Sequence, residues 1–442
     1  MKWKQLRLGL LIAGAIAASG CGIFKKGKPS TPILGERIDV LATESDVTVD
    51  PATAAIPMSL PAAAVNPNWS QSGGNASKAM GQVALPASIN QAWAVSIGRG
   101  TNVDARLAAA PVVGDGRVYT IDTTATVRAF DASTGATLWS TQFGTEKGND
   151  AALFGGGLAF NNGRIYATNG LGFVVALDAT NGGIAWQVRP GGPLRGSPTV
   201  AGDAVYVMSQ DNQIYSLKAA DGTTNWNEAA SLEIAGIFGV ASPAFAQGTV
   251  VAGFSSGELN AYRYENGRVV WQDTLSRTSV RTSVSALSDI DADPVIDNGQ
   301  VISIGQGGRM VALELITGQR MWELNIAGIA TPWVAGDWVF AVTSDAKLMA
   351  IARTTGKIRW ITQLPEFHKA KSKSGPISYV GPILAGGRLI VASTEGALIF
   401  VDPDRGAVQG QTEMKASVSL PPVVANNMLY LLDDDGRLHA FR

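Results

Sequence analysis

From about residue 90 to the C-terminus, apolar and polar positions alternate in short runs broken by Gly, Asn and Asp. Pro111-Val-Val-Gly-Asp-Gly-Arg-Val-Tyr-Thr-Ile121 reads as a short strand, a glycine turn and a second strand. Thr126-Val-Arg-Ala-Phe130 alternates as a third strand, and a Thr-Gly turn hands over to a fourth that ends at Trp139. Alternation with period two marks half-buried strands, and this punctuation marks hairpins. Four such strands make a compact antiparallel unit.

The unit repeats. Asp131-Ala-Ser-Thr-Gly135-Ala-Thr-Leu-Trp139 returns as Asp178-Ala-Thr-Asn-Gly182-Gly-Ile-Ala-Trp186, and again around Gly222 and Trp226, Gly267 and Trp271, Gly318 and Trp322, and Gly356 and Trp360. A seventh copy, Asp402-Pro-Asp-Arg-Gly406, has Gly410 where tryptophan is expected. Successive turn glycines are 47, 40, 45, 51, 38 and 50 residues apart, a period in the range of propeller blades rather than of helical repeats. Glycine supplies the left-handed backbone of the turn, and the tryptophan is placed to bury its ring against the neighbouring blade.

First-strand signals occur at Pro111, Leu158, Pro198, Pro243, Pro294, Pro332, Pro382 and Pro422. The last unit stops at Phe441-Arg442, after its third strand, while Gln91-Ala-Trp93-Ala-Val-Ser-Ile97 carries a tryptophan in phase with the repeat. The expected fold is therefore all-β: an eight-bladed β-propeller of four-stranded antiparallel blades over 87–442. An N-terminal strand completes the last blade and closes the ring.

The first residues carry a different pattern. Lys2, Lys4 and Arg7 precede an apolar run over 8–18, and Ala18-Ser19-Gly20-Cys21 follows. A positive start, a short apolar core and small closing residues describe a cleaved secretory signal over 1–20. The tetrapeptide resembles the lipobox of bacterial lipoproteins, which implies cleavage before Cys21 and lipid on its sulfur. Two or more acyl chains suffice for stable anchoring. Gly22 is not the aspartate that retains such proteins in the inner membrane, so the implied location is the periplasmic face of the outer membrane. A secreted protein with an incidental cysteine is the alternative. Residues 21–86 are rich in Ala, Pro, Ser, Thr and Asn without a sustained period, and read as the lipidated cysteine followed by a disordered tether. The more apolar stretch Ile33-Leu-Gly-Glu-Arg-Ile-Asp-Val-Leu41 can dock or remain part of the tail.

Composition narrows the chemistry. A net charge of −1 from 35 basic and 36 acidic residues gives no electrostatic footprint for nucleic acid. One cysteine and two histidines, His368 and His439, leave no thiolate metal cage or internal disulfide. Phe254-Ser-Ser-Gly is not the Gly-x-Ser-x-Gly of a nucleophile elbow, and Gly305-Gln-Gly-Gly308 lies in a β repeat rather than at a helix start. No catalytic residue, cofactor or metal is expected.

The repeat resembles the tryptophan-docking motif of pyrroloquinoline-quinone-type propellers. With the lipobox in front, the chain resembles the BamB family of lipoproteins of the outer-membrane β-barrel assembly machinery. Leu287-Ser-Asp289-Ile-Asp291-Ala-Asp-Pro294 matches that family's acidic loop, and Leu232-Glu-Ile234-Ala-Gly236 matches its apolar segment, with Ala235 where the family carries arginine. The resemblance implies that Leu232, Ile234, Asp289 and Asp291 dock on the POTRA domains of BamA. Other lipoproteins of that machinery and nascent outer-membrane proteins are further implied partners. Read from the residues alone, Asp289, Asp291 and Asp293 alternate beside a strand start and would project together from one rim. A solvated turn and a calcium loop are the rival readings, and the second is disfavoured because Ile290 and Ala292 intervene and no Gly at the sixth position or Glu at the twelfth follows, as an EF-hand requires.

Two other readings remain from the sequence. A quinone-dependent dehydrogenase shares the repeat but needs calcium ligands and, in many members, a vicinal cysteine pair. A glycan- or peptide-binding propeller could use Trp333 or Trp338, which depart from the repeat's tryptophan position, for stacking, although core packing also accounts for them. The basic loop Glu366-Phe-His368-Lys369-Ala-Lys371-Ser-Lys373 can meet an anionic surface or stay solvated.

Overall fold

The computed structural model describes residues 47–232, 241–275 and 288–442. Within the unit Val47–Arg442, eight four-stranded antiparallel sheets form the blades of a propeller, joined by a separate two-stranded hairpin. Blade 1 comprises the strands Val112–Gly114, Arg117–Ile121, Thr126–Asp131 and Thr137–Gln142, and the pattern recurs in blades 2 to 7 over 158–188, 199–229, 244–274, 295–324, 333–363 and 379–413, with Val408–Glu413 the outer strand of blade 7. Blade 8 takes Val423–Ala425, Met428–Leu432 and Arg437–Phe441 from the C-terminus and Gln91–Ser96 from the N-terminal side. The closing strand pairs antiparallel, with Trp93 opposite Ala440 and Ser96 opposite Arg437. The predicted closure is the observed one.

In blades 1 to 7 a bulge interrupts the pairing of the third and fourth strands. The extra residue re-aims the side chains that follow it. In blade 1 it lies between Ala129, which faces Trp139, and Phe130, which faces Thr137. Blade 8 repeats the shift between Gln91 and Trp93 although its two strands come from opposite ends of the chain. The residue opposite the tryptophan is small, as with Ala176 in blade 2 and Ala350 in blade 6, which leaves room for the indole.

Each indole then crosses to the next blade. Trp93, Trp139, Trp186, Trp226, Trp271, Trp322 and Trp360 donate their ring N–H to the carbonyl oxygens of Ala132, Ala179, Ala219, Tyr264, Leu315, Arg353 and Pro403, at 2.6–3.2 Å. Their rings lie against the turn glycines of those blades, Gly135 through Gly406. Between blades 7 and 8 this lock is missing. Blade 8 has no turn between its third and fourth strands, only the paired ends Asn90 and Arg442, so a tryptophan at 410 would have nothing to dock on. The cross-strand sizes are also exchanged there, with Phe400 facing Gly410.

Residues 47–86 differ from the expected disordered tether. The stretch from 64 to 86 runs once around the channel along the inner strands and meets all eight blades in order. The amide of Asn426 in blade 8 donates to the Asn66 carbonyl, and Trp69 exchanges backbone hydrogen bonds with Val113 in blade 1. Phe160 in blade 2 donates to Ser70, Phe245 in blade 4 to Ala76, and Ile296 in blade 5 to Ser77. In blade 3 the Gln71 amide side chain imitates a backbone pair with Val200, at 2.9 and 3.0 Å. Trp333 of blade 6 donates its indole N–H to the Gly81 carbonyl at 2.7 Å, and Val83 pairs with Leu384 and Gly386 of blade 7. Ala64 then pairs with residues 82 and 84, closing the loop on itself.

Free edges of the inner strands need hydrogen-bond partners, and this hoop meets six of the blades through backbone pairs, blade 3 through the Gln71 side chain and blade 6 through the Trp333 indole. Such pairing places no periodic demand on side chains, so a run of Ser, Gly, Asn and Ala serves. Trp69, Val83 and Leu85 are its buried anchors. Upstream, Val49 bridges to Ile358 at the outer edge of blade 6, and a helical turn, Pro51–Ala54, is capped by Asp50, whose carboxylate accepts from the Thr53 amide at 2.8 Å.

Candidate docking face and channel cavity

In this topology the connections from each outer strand to the next inner strand gather on one face of the ring, and the tight turns gather on the other. The connection face carries Leu232, the segment 288–294 and the hairpin of Phe367–Lys369 with Ser374–Pro376. The channel there widens into a cavity of about 640 Å³. Its walls are the residues just before the inner strands, among them Leu107, Ser242, Ile329 and Leu420, and the hoop contributes Trp69, Ser72 and Lys78. That volume lies within the range of small-molecule sites.

Lys78 is fully buried and has a left-handed backbone, with φ of 64°. Its ammonium donates to the Thr199 hydroxyl at 3.1 Å and lies 4.0 Å from the Asp293 carboxylate. Burial pulls its pKa down to about 8, and Asp293 opposes the shift. Asp293 also accepts from the Ser72 hydroxyl at 2.5 Å and the Ser242 amide at 2.7 Å. This aspartate therefore ties the hoop to the connection entering blade 5. Asp291, on the cavity wall, has a carboxylate oxygen with no hydrogen-bond partner among the described residues. Burial and then the neighbouring Asp289 push its pKa up to about 7.

The predicted site residues separate. Leu232 is 77% exposed on the connection between blades 3 and 4, whereas Cys21 and Ile234 lie outside the described residues. Asp289 and Asp293 are only 1% and 6% exposed, so the three aspartates do not project together from a rim. Ile290 and Ala292 are buried as well. The amide of Ile290 donates to the Phe254 carbonyl, and the Asp289 carbonyl accepts from Gln306. The segment is threaded between blades 4 and 5, so its polar and apolar positions both face protein and alternation does not separate inside from outside.

Trp333 and Trp338 are buried. Trp333 stacks on Trp69 with ring centres 5.9 Å apart, and Arg359 lies over Trp338 at 5.3 Å. Lys78 and Trp69 escaped the sequence reading because they sit in a segment without period; an isolated tryptophan among Ser, Gly and Asn was the available signal. Among the described residues, no group of three or more His, Cys, Asp or Glu side chains could hold a metal ion. No helix among them is long and apolar enough to cross a membrane.

The family model described as outer membrane protein assembly factor BamB matches residues 85–155, 123–362 and 367–442. The protein of that name from Escherichia coli K12 is 28% identical over 406 residues, covering 80% of this chain and 91% of the relative. Its Salmonella typhimurium counterpart is 29% identical over 397 residues, covering 79% and 87%. Among solved structures, BamB from Moraxella catarrhalis superposes with a TM-score of 0.68 at 19% identity, covering 80% of this chain and 100% of that one. A europium-containing methanol dehydrogenase reaches 0.67 at 13% identity, covering 85% and 98%. The structural likenesses establish the propeller and do not choose between assembly factor and dehydrogenase. The family match does, because it spans the repeat from the closing strand to the C-terminus: the chain belongs to the BamB family of outer membrane protein assembly factors.

Proposed function

We propose that this chain is a non-catalytic scaffold in the assembly of outer-membrane β-barrel proteins, held at the periplasmic face of the outer membrane by lipid on Cys21. The family match over nearly the whole propeller carries this reading. Docking on the POTRA domains of BamA uses the connection face. Exposed Leu232 supplies apolar contact, together with Ile234 two positions on in the sequence. Asp289 and Asp291 act from behind, holding the base of the neighbouring connection where it enters between blades 4 and 5. Other lipoproteins of the machinery and nascent barrel strands meet the same anchored ring.

The test is co-purification of BamA with the membrane-extracted protein. Leu232→Ser with Ile234→Ser should remove BamA while leaving thermal unfolding unchanged. Asp289→Ala with Asp291→Ala should weaken capture and also alter stability. Full capture by both variants would refute the docking surface, and an unmodified Cys21 in the mass spectrum would refute the anchor.

A further inference from the structure

We infer that the hoop is the lock of the seam between blades 7 and 8, replacing the tryptophan dock that this seam lacks. At the other seven seams an indole spans from one blade to the turn of the next. At this one Gly410 has no atom near the position of a side chain, and the whole outer strand Val408–Glu413 is exposed. Blade 8 offers no turn there because its outer strand, Gln91–Ser96, comes from the N-terminal side rather than following its third strand.

The hoop starts and finishes at the same seam. Its first inner-strand contacts are with blade 8, where the Asn66 side chain donates to the Val424 carbonyl at 2.6 Å. Its last are with blade 7, where Val83 donates to Leu384 at 3.1 Å and accepts from Gly386 at 2.9 Å. The two ends are joined directly: Ala64 donates to Gln82 at 3.0 Å and accepts from Ala84 at 2.8 Å. This bridge runs from blade 8 to blade 7 along the inner edge, so parting the two blades at their inner edge requires breaking it. Elsewhere around the ring the hoop adds to a seam already locked by an indole. Here it is the lock.

Two full-length variants test the assignment by hydrogen exchange resolved to single strands. Val83→Pro removes the donor to Leu384 and disturbs the bridge. Protection should fall by roughly tenfold or more in Val423–Ala425 and Tyr379–Ala385, with little change in the inner strands of blades 2 to 5. In a Cys21→Ser background, Ala64→Cys with Val83→Cys places two thiols across the bridge. Their oxidation should raise protection at the same two strands, and reduction should reverse it. If Val83→Pro does not fold, the thiol pair decides alone. Equal changes at all eight blades, or oxidation without effect on blades 7 and 8, would overturn the inference.

Discussion

Trp360 donates its indole N–H to the Pro403 carbonyl at 2.9 Å, and its ring lies where a side chain at Gly406 would have to go. Gly406 is also left-handed, with φ of 70°. Both residues are therefore held by one contact between blades 6 and 7. Truncating a buried tryptophan costs about 3–5 kcal/mol, so Trp360→Ala should lower stability by that order. Gly406→Ala adds a clash and an unfavourable backbone, for roughly 1–3 kcal/mol. Because each change breaks the same contact, the double variant should cost less than the sum. Denaturant unfolding of the four proteins measures this, and strict additivity would show that the two residues act independently.

Restoring the repeat at blade 7 should gain nothing. Gly410→Trp puts an indole beside Phe400, facing the paired ends Asn90 and Arg442 instead of a turn. With no carbonyl shelf or glycine to receive the ring, stability should change by no more than about 0.5 kcal/mol. A clear rise in the unfolding midpoint would mean that the indole finds a dock without the turn.

The closing strand should matter more than any single indole. Deleting residues 91–98 removes the outer strand of blade 8 and, with Trp93, the lock onto Gly135 of blade 1. It also leaves the last C-terminal strand as a free edge. The melting temperature should fall further than in Trp360→Ala. An unchanged melt would show that the ring does not depend on closure from the N-terminal side.

Those contacts mark what was legible in the sequence. The turn and the tryptophan recur because every blade presents the same shelf to the next, so Gly135, Gly182 and their successors stand at readable intervals. The exception at Gly410 was visible, but its cause lies in the pairing of Gln91–Ser96 with the distant strand Arg437–Phe441. The hoop leaves no side-chain period because most of its contacts with the blades are backbone hydrogen bonds. The acidic segment misled for a related reason. Asp289 and Asp293 alternate with Ile290 and Ala292 as a half-exposed strand would, yet this segment is enclosed on both sides, and Asp293 faces Lys78 from a distant part of the chain.

Asp291 gives the molecule a pH dependence of defined sign. Burial, reinforced by Asp289, raises its pKa from 3.8 to about 7. Between those values the folded protein keeps a proton that the unfolded chain releases, so this group's contribution to stability falls as pH rises. The stability is fully present below about pH 4 and is lost by about pH 7 to 8. Asp291→Asn keeps the shape but cannot ionise. The variant and the parent should therefore be nearly equal in unfolding free energy near pH 4, on the order of 1–4 kcal/mol apart near pH 8, with the variant the more stable. Chemical unfolding at both values decides it. Parallel profiles would mean that Asp291 ionises as freely in the folded protein as in the unfolded chain. A variant less stable at pH 8 would mean that the charge is compensated within the cavity.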